Sequence, residues 1–243
     1  MKKTIAIFLL IPAFASFAAA DIYVKSKVHS DPMSIMGKSQ PAQDSISEQW
    51  IGESQFAMLS VKNSSILDLT KNVLFIINHN TKTYVEAPLP FDFSSLLPAQ
   101  MASMMSSMMK MTVTVSPTGR KKTVGTWICD EYDVTMNMMM MPMKMKVYAT
   151  TDVPFDLKNY MEKVYGTYLK AQFRLDDASA KEMMKIQGFW IASETSMEMM
   201  GAKIHTTTEV IEISSKTPPA GVYSVPAGYT KQAKLSMQDM QQR

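Results

Sequence analysis

The sequence contains few of the residues on which most enzymes depend. Its 243 residues include one cysteine, three histidines and nine glycines. None of the histidines, His29, His79 and His205, belongs to an HExxH pattern, and there is neither a GxSxG motif nor a glycine-rich phosphate loop. The single Cys129 cannot form an intramolecular disulfide, and its strand-like surroundings favour a buried, inert thiol. We therefore expect a protein that is not an enzyme and whose fold depends on core packing.

Long apolar runs are also missing, except at the amino terminus. Lys2 and Lys3 precede an apolar run from Ile5 to Phe17, and Ala18-Ala19-Ala20 provides an A-x-A cleavage site. These features predict a secretory signal peptide over residues 1–20 and a periplasmic or secreted mature protein. No later stretch reaches the about 18 uncharged apolar residues that a membrane-spanning helix needs. We therefore expect no transmembrane segment in the mature chain.

The charge balance gives no indication of a nucleic-acid partner. Loss of the two leader lysines lowers the formal net charge from +3 to about +1, whereas nucleic-acid binding needs a basic surface. The remaining length suits one domain, predicted over residues 21–230. Residues 231–243 are polar, and we predict that they form a flexible tail.

Methionine is the residue that the sequence has in excess, with 25 copies. Most of them fall between Met101 and Met111, between Met136 and Met145, or between Met183 and Met200. Methionine side chains can form an adaptable apolar surface, and their thioethers can bind a soft metal ion. A third interpretation is a reversible sink for oxidants through methionine sulfoxide.

The first cluster has the pattern of an uncharged helix. From Leu97, apolar residues recur at helical spacing, at Met101, Met104, Met105 and Met108. The other face of this helix has alanine, serine and glutamine, with no charge before Lys110. A helix exposed to water normally has charges, so we expect this one to be covered on both sides or to act as a movable lid.

The second cluster has the pattern of a strand with one apolar face. A long strand is predicted from Thr123 to Tyr148, after a turn at residues 116–119. At period two, one side of it has Met139, Met141, Met143 and Met145. The other side has Lys144 and Lys146, so we expect the methionines to face inward.

The remaining segments predict a meander of short strands interrupted by helices. Strands are predicted near residues 21–29, 49–61, 65–69, 72–78 and 83–85, and a strand pair near residues 189–213. Two helices are predicted between Pro154 and Gly188, the second capped by Asp176, Asp177 or Ser179. This order of elements indicates an α+β fold.

Three segments resemble an exported family of unknown function that has the lipoprotein-localisation (LolA/LolB-like) fold. They are NHNTKTYVE at residues 78–86, TGRKKTVGTWICDEYDV at residues 118–134 and VYSVPAGYTK at residues 222–231. The resemblance implies a curved, half-open antiparallel β-sheet wrapped around a few helices, with an apolar cavity between them. It also implies a lipid or acyl chain as cargo, and a partner in the envelope or outer membrane.

The sequence thus favours a periplasmic carrier that holds a hydrophobic ligand in a methionine-lined cavity. The predicted lining residues are Leu97, Met101, Met104, Met105, Met108, Met139, Met141, Met143 and Met145. No cofactor is expected in this interpretation. In the alternative interpretation, Met141, Met143 and Met145 bind Cu(I), because three thioethers prefer soft ions.

Overall fold

A computed structural model describes residues 20–35, 38–100, 102, 111–138, 141–173, 175–199 and 202–236. The predicted signal peptide, up to residue 19, lies outside the described residues. Most of the described chain is β-strand. Strand β1 spans Asp21–Ser30, and β2 (Met33–Ile35) and β3 (Lys38–Gln40) form a separate two-stranded ribbon.

Two antiparallel meanders supply most of the main sheet. The first contains β4 (Gln43–Ile51), β5 (Gln55–Leu59), β6 (Asn63–Asp68), β7 (Val73–Asn78) and β8 (Thr83–Pro88). The second contains β9 (Met111–Val124), β10 (Trp127–Met138), β11 (Met141–Thr150), β12 (Phe189–Met199) and β13 (Ala202–Lys216). A short last strand, β14 (Thr230–Gln232), pairs in parallel with β8.

Strand β1 joins the two meanders into one twelve-stranded sheet. It pairs with β4 on one side and with β13 on the other, both antiparallel. The strand order is β14-β8-β7-β6-β5-β4-β1-β13-β12-β11-β10-β9. Because β14 runs parallel to β8, the sheet is mixed rather than antiparallel.

The helical residues lie mainly between β11 and β12. Helix α1 (Leu157–Tyr160) continues through a π-helical turn (Met161–Tyr165) into α2 (Gly166–Phe173), and α3 (Asp177–Met183) follows. Asp176 caps α3, since its side chain accepts a hydrogen bond from the Ser179 amide at 2.8 Å. A 3-10 turn at Phe93–Leu96 lies between β8 and β9.

The predicted fold class is therefore wrong. The sequence indicated an α+β fold, with a half-open antiparallel sheet wrapped around a few helices. The structure instead has one large mixed sheet, and one main helical segment packs on it. The difference arises because β1 pairs with two meanders at once, which doubles the width of the sheet without adding helices.

The helices pack against one face of the sheet, here called the helix face. The Tyr160 ring lies 6.3 Å from the Phe56 ring on β5 and 5.6 Å from the Phe189 ring on β12. Those two strands are four positions apart, which would be about 19 Å in a flat sheet. The sheet must therefore bend around Tyr160.

The first residues of the predicted tail pack on the sheet. Lys231 belongs to β14 and forms an ion pair with Glu86 at 2.5 Å, and Leu235 is only 3% exposed. Residues 237–243 lie outside the described residues. No helix within the described ranges is long and apolar enough to cross a membrane.

Candidate functional site

The structure describes the side chains of three of the nine residues that were predicted to line a cavity. Leu97, Met143 and Met145 are described, and both Leu97 and Met145 are 3% exposed. The backbone of Met141 is described in β11. The other five, Met101, Met104, Met105, Met108 and Met139, lie outside the described residues. The predicted methionine-lined cavity therefore stays a prediction.

Strand β11 has the predicted arrangement of an apolar and a charged face. Met143 and Met145 pack into the core on the helix face. On the other face, Lys146 forms ion pairs with Asp133 at 2.7 Å and Glu131 at 3.2 Å. The inward orientation of Met143 and Met145 is thus confirmed.

Leu97 is not near these two methionines in the sheet order. It follows the 3-10 turn that packs on β8, close to one edge, whereas β11 lies near the other edge. Two spaces found on the helix face measure about 10 Å³ each, beside Phe56 and beside Ile76. Spaces of that size hold one water molecule at most.

A much larger cleft lies on the opposite face of the sheet. Here β4 to β7 are covered by residues 217–229, which connect β13 to β14 and are called the covering segment below. The space between them, called the outer cleft, has a volume of about 360 Å³. Its size is within the range typical of small-molecule sites, about 300–1,000 Å³.

The walls of the outer cleft are largely apolar. Trp50, Ile66 and Ile77 are 5%, 1% and 1% exposed and come from three strands of the first meander. Leu59 lies beside them, and the covering segment adds Val222 from above. Strand β7 is apolar on both faces, and β6 adds Leu67 on one face and Ile66 on the other, because the helices cover one face and this segment covers part of the other.

Two tyrosine hydroxyls attach the covering segment to the sheet. The Tyr223 hydroxyl donates a hydrogen bond to Asp21 Oδ2 at 2.5 Å, and burial and this carboxylate raise the pKa of Tyr223. The Tyr229 hydroxyl lies 2.8 Å from His79 Nδ1. The anchors therefore hold the middle and the carboxyl-terminal end of the segment, and residues 219–222, which line the outer cleft, precede the first anchor.

Polar groups converge at one side of the outer cleft. His79 Nε2 lies 2.7 Å from the Ser64 hydroxyl, and burial lowers the pKa of His79, which favours the neutral imidazole. Glu48 accepts a hydrogen bond from the Tyr23 hydroxyl at 2.7 Å. The outer cleft thus combines an apolar interior with a few fixed polar groups, an arrangement typical of ligand sites.

The outer cleft was not predicted from the sequence, although two signals were present. The run Val73–Asn78 has apolar residues at successive positions, which indicates a strand covered on both faces. The carboxyl-terminal segment is rich in proline and almost without charge. To predict the outer cleft, one must know that the two segments contact each other. That contact joins residues about 150 positions apart, such as His79 and Tyr229. No local pattern reveals such a contact.

Other candidate groups have structural roles. Cys129 is fully buried, and burial raises the pKa of its thiol to about 11, so it stays protonated. This confirms the expected buried thiol. Within the described residues, no cluster of three or more histidine, cysteine, aspartate or glutamate side chains could hold a metal ion.

Comparisons with known proteins add little about function. No protein-family model matches the sequence, and no curated protein matches it significantly. Among solved structures, the chain is similar to an uncharacterised conserved protein from Thermus thermophilus, at 7% identity and a TM-score of 0.41. The match covers 89% of this chain and 91% of that one. A likeness this weak carries no argument about fold family or activity.

Proposed function

We propose that this protein is an exported binding protein that holds one acyl chain in the outer cleft and catalyses no reaction. The observation that supports it is the largely apolar cleft of about 360 Å³ between β4–β7 and the covering segment. A periplasmic location and a receiving partner in the envelope belong to this proposal.

An acyl chain suits the outer cleft in both chemistry and size. The walls formed by Trp50, Leu59, Ile66 and Ile77 offer apolar area that a hydrocarbon removes from water, at about 0.8 kcal/mol per buried methylene. The volume of the outer cleft lies at the lower end of the range for ligand sites, so it suits a single acyl chain. A polar end group would lie on the side of Glu48, Ser64 and His79.

The covering segment gives the ligand a route in and out. It contacts the sheet mainly through the two tyrosine anchors and the apolar side chains of Val222 and Val225. Lifting such a segment costs less free energy than opening the paired strands. Loading and release can therefore occur while the twelve-stranded sheet stays intact.

Filling the outer cleft tests the proposal. Leu59→Trp places an indole inside it and should abolish binding of a fluorescent fatty acid. Val61→Trp is the matched control, because Val61 is 80% exposed and does not line the outer cleft. Equal binding by both variants and the wild type would contradict the proposed site.

Tryptophan quenching distinguishes the outer cleft from the predicted methionine-lined cavity. Trp50 lines the outer cleft, whereas Trp127 and Trp190 pack on the helix-face core. A fatty acid with a nitroxide label should quench wild-type fluorescence, and Trp50→Phe should remove most of that quenching. Quenching that persists in Trp50→Phe would place the chain on the helix face instead. Mass spectrometry of the natively purified protein would then identify the bound lipid.

A further inference from the structure

The pairing of β11 with β10 on one side and with β12 on the other brings three methionines of separate strands into one row. Met143 lies directly opposite Met136 of β10 on one side and directly opposite Met197 of β12 on the other. Directly opposite residues of antiparallel strands share a face, with Cβ atoms about 4.5–5.5 Å apart. The three side chains therefore project from the helix face side by side.

Apolar residues lie at both ends of this row. Val113 lies opposite Met136 at one end, and Ile204 lies opposite Met197 at the other. Met136 is 1% exposed, whereas Met143 and Met197 are partly exposed. An ion could therefore reach the thioether sulfurs from the side of Met143 and Met197.

We propose that Met136, Met143 and Met197 form a site for Cu(I). Thioethers are soft, neutral ligands, and they favour Cu(I) over hard ions such as Mg²⁺ and Ca²⁺. Each methionine has three rotatable side-chain bonds, so sulfurs from neighbouring strands can turn toward one ion. This site is separate from the outer cleft, and it does not depend on binding of an acyl chain.

The row differs from the Met141, Met143 and Met145 set that the sequence suggested. Alternate residues of one strand are about 6.6 Å apart, farther than opposite residues of neighbouring strands. Met145 lies opposite Val134 and Thr195, so no sulfur is directly beside it. The cross-strand row therefore offers the better ligand set, with Met143 common to both.

Competition titration with a Cu(I) chelator, without oxygen, tests the assignment. The wild type should bind one Cu(I), and X-ray absorption should show only sulfur ligands. Met136→Leu, Met143→Leu and Met197→Leu should each weaken Cu(I) binding by at least about 10- to 100-fold. Loss of a residue that only orients a metal ligand has an effect of that size, and each of these changes removes a ligand itself. Leucine nearly conserves volume, so circular dichroism should show unchanged folding.

Met145→Leu is the matched control, because it changes a buried methionine of the same strand and face that lies outside the row. It should leave Cu(I) affinity unchanged. Two results would overturn the proposal: no Cu(I) bound by the wild type, or weakening by Met145→Leu with none by Met136→Leu and Met197→Leu. Because neutral thioethers need not lose a proton, affinity should also change little between pH 7 and 5.

Discussion

Removal of the Tyr223 hydroxyl should loosen the covering segment. In Tyr223→Phe, the Asp21 carboxylate loses a hydrogen bond of 2.5 Å. A hydrogen bond to a charged group contributes about 1.5–3 kcal/mol, and we expect about 1.5–2 kcal/mol because this one is only partly buried. If the segment opens locally, amide hydrogen exchange over residues 217–229 should accelerate about 10- to 30-fold, at tenfold per 1.4 kcal/mol.

The same change should appear as a lower thermal midpoint if the segment opens only with the whole domain. A loss of 1.5–2 kcal/mol corresponds to a Tm decrease of about 3–8 °C for a domain of this size. Tyr165→Phe is the control, since the described residues offer no hydrogen-bond partner to the buried Tyr165 hydroxyl. If Tyr223→Phe changes neither exchange nor Tm more than Tyr165→Phe does, the anchor has no energetic role.

Two further predictions concern backbone conformation and pH. Gly188 has φ +112°, and a Cβ there would lie 2.6 Å from the Thr150 carbonyl oxygen, so Gly188→Ala should cost about 3 kcal/mol or more in urea unfolding. Gly119→Ala, at φ +73° in open space, should cost only about 1 kcal/mol, and equal losses would contradict the clash. The pKa of His79 is lowered by burial, so its contribution to stability is complete above about pH 6.5 and declines as the pH falls toward the folded-state pKa. Wild type should therefore lose more stability than His79→Gln between pH 7.5 and 5.5, and parallel curves would disprove this role.

Much of the strand pattern could be predicted from the sequence because it depends on local alternation. The apolar run of β7 identifies a buried strand. In β11, the lysines that alternate with Met143 and Met145 identify a strand and its buried face. The turn predicted at residues 116–119 was wrong. Gly119 instead lies in a bulge of β9 between Lys121, which pairs with Asp130, and Pro117, which pairs with Tyr132. An edge strand tolerates proline, so the strand continues through it.

The hairpin between β10 and β11 could not be predicted in the same way. One strand was predicted from Thr123 to Tyr148, but Met138 pairs with Met141, so the chain reverses within the methionine tract. The two residues between Met138 and Met141 are methionines, whereas glycine, asparagine and aspartate are the usual signals of a tight turn. Because this reversal was not predicted, the pairing of Met136 with Met143 could not be predicted either.

The pairing of β1 with β13 also has a consequence for how the chain reaches its native state. Asp21 lies opposite Lys216, so the centre of the sheet joins residues nearly 200 positions apart. Contacts of such long sequence separation slow folding, because the intervening chain must first be brought together. Each meander can assemble from local hairpins, but the two can join only after nearly all of the polypeptide is present. During synthesis from the amino terminus, β1 can therefore pair with β4 early, but it can pair with β13 only after nearly the whole chain has been made.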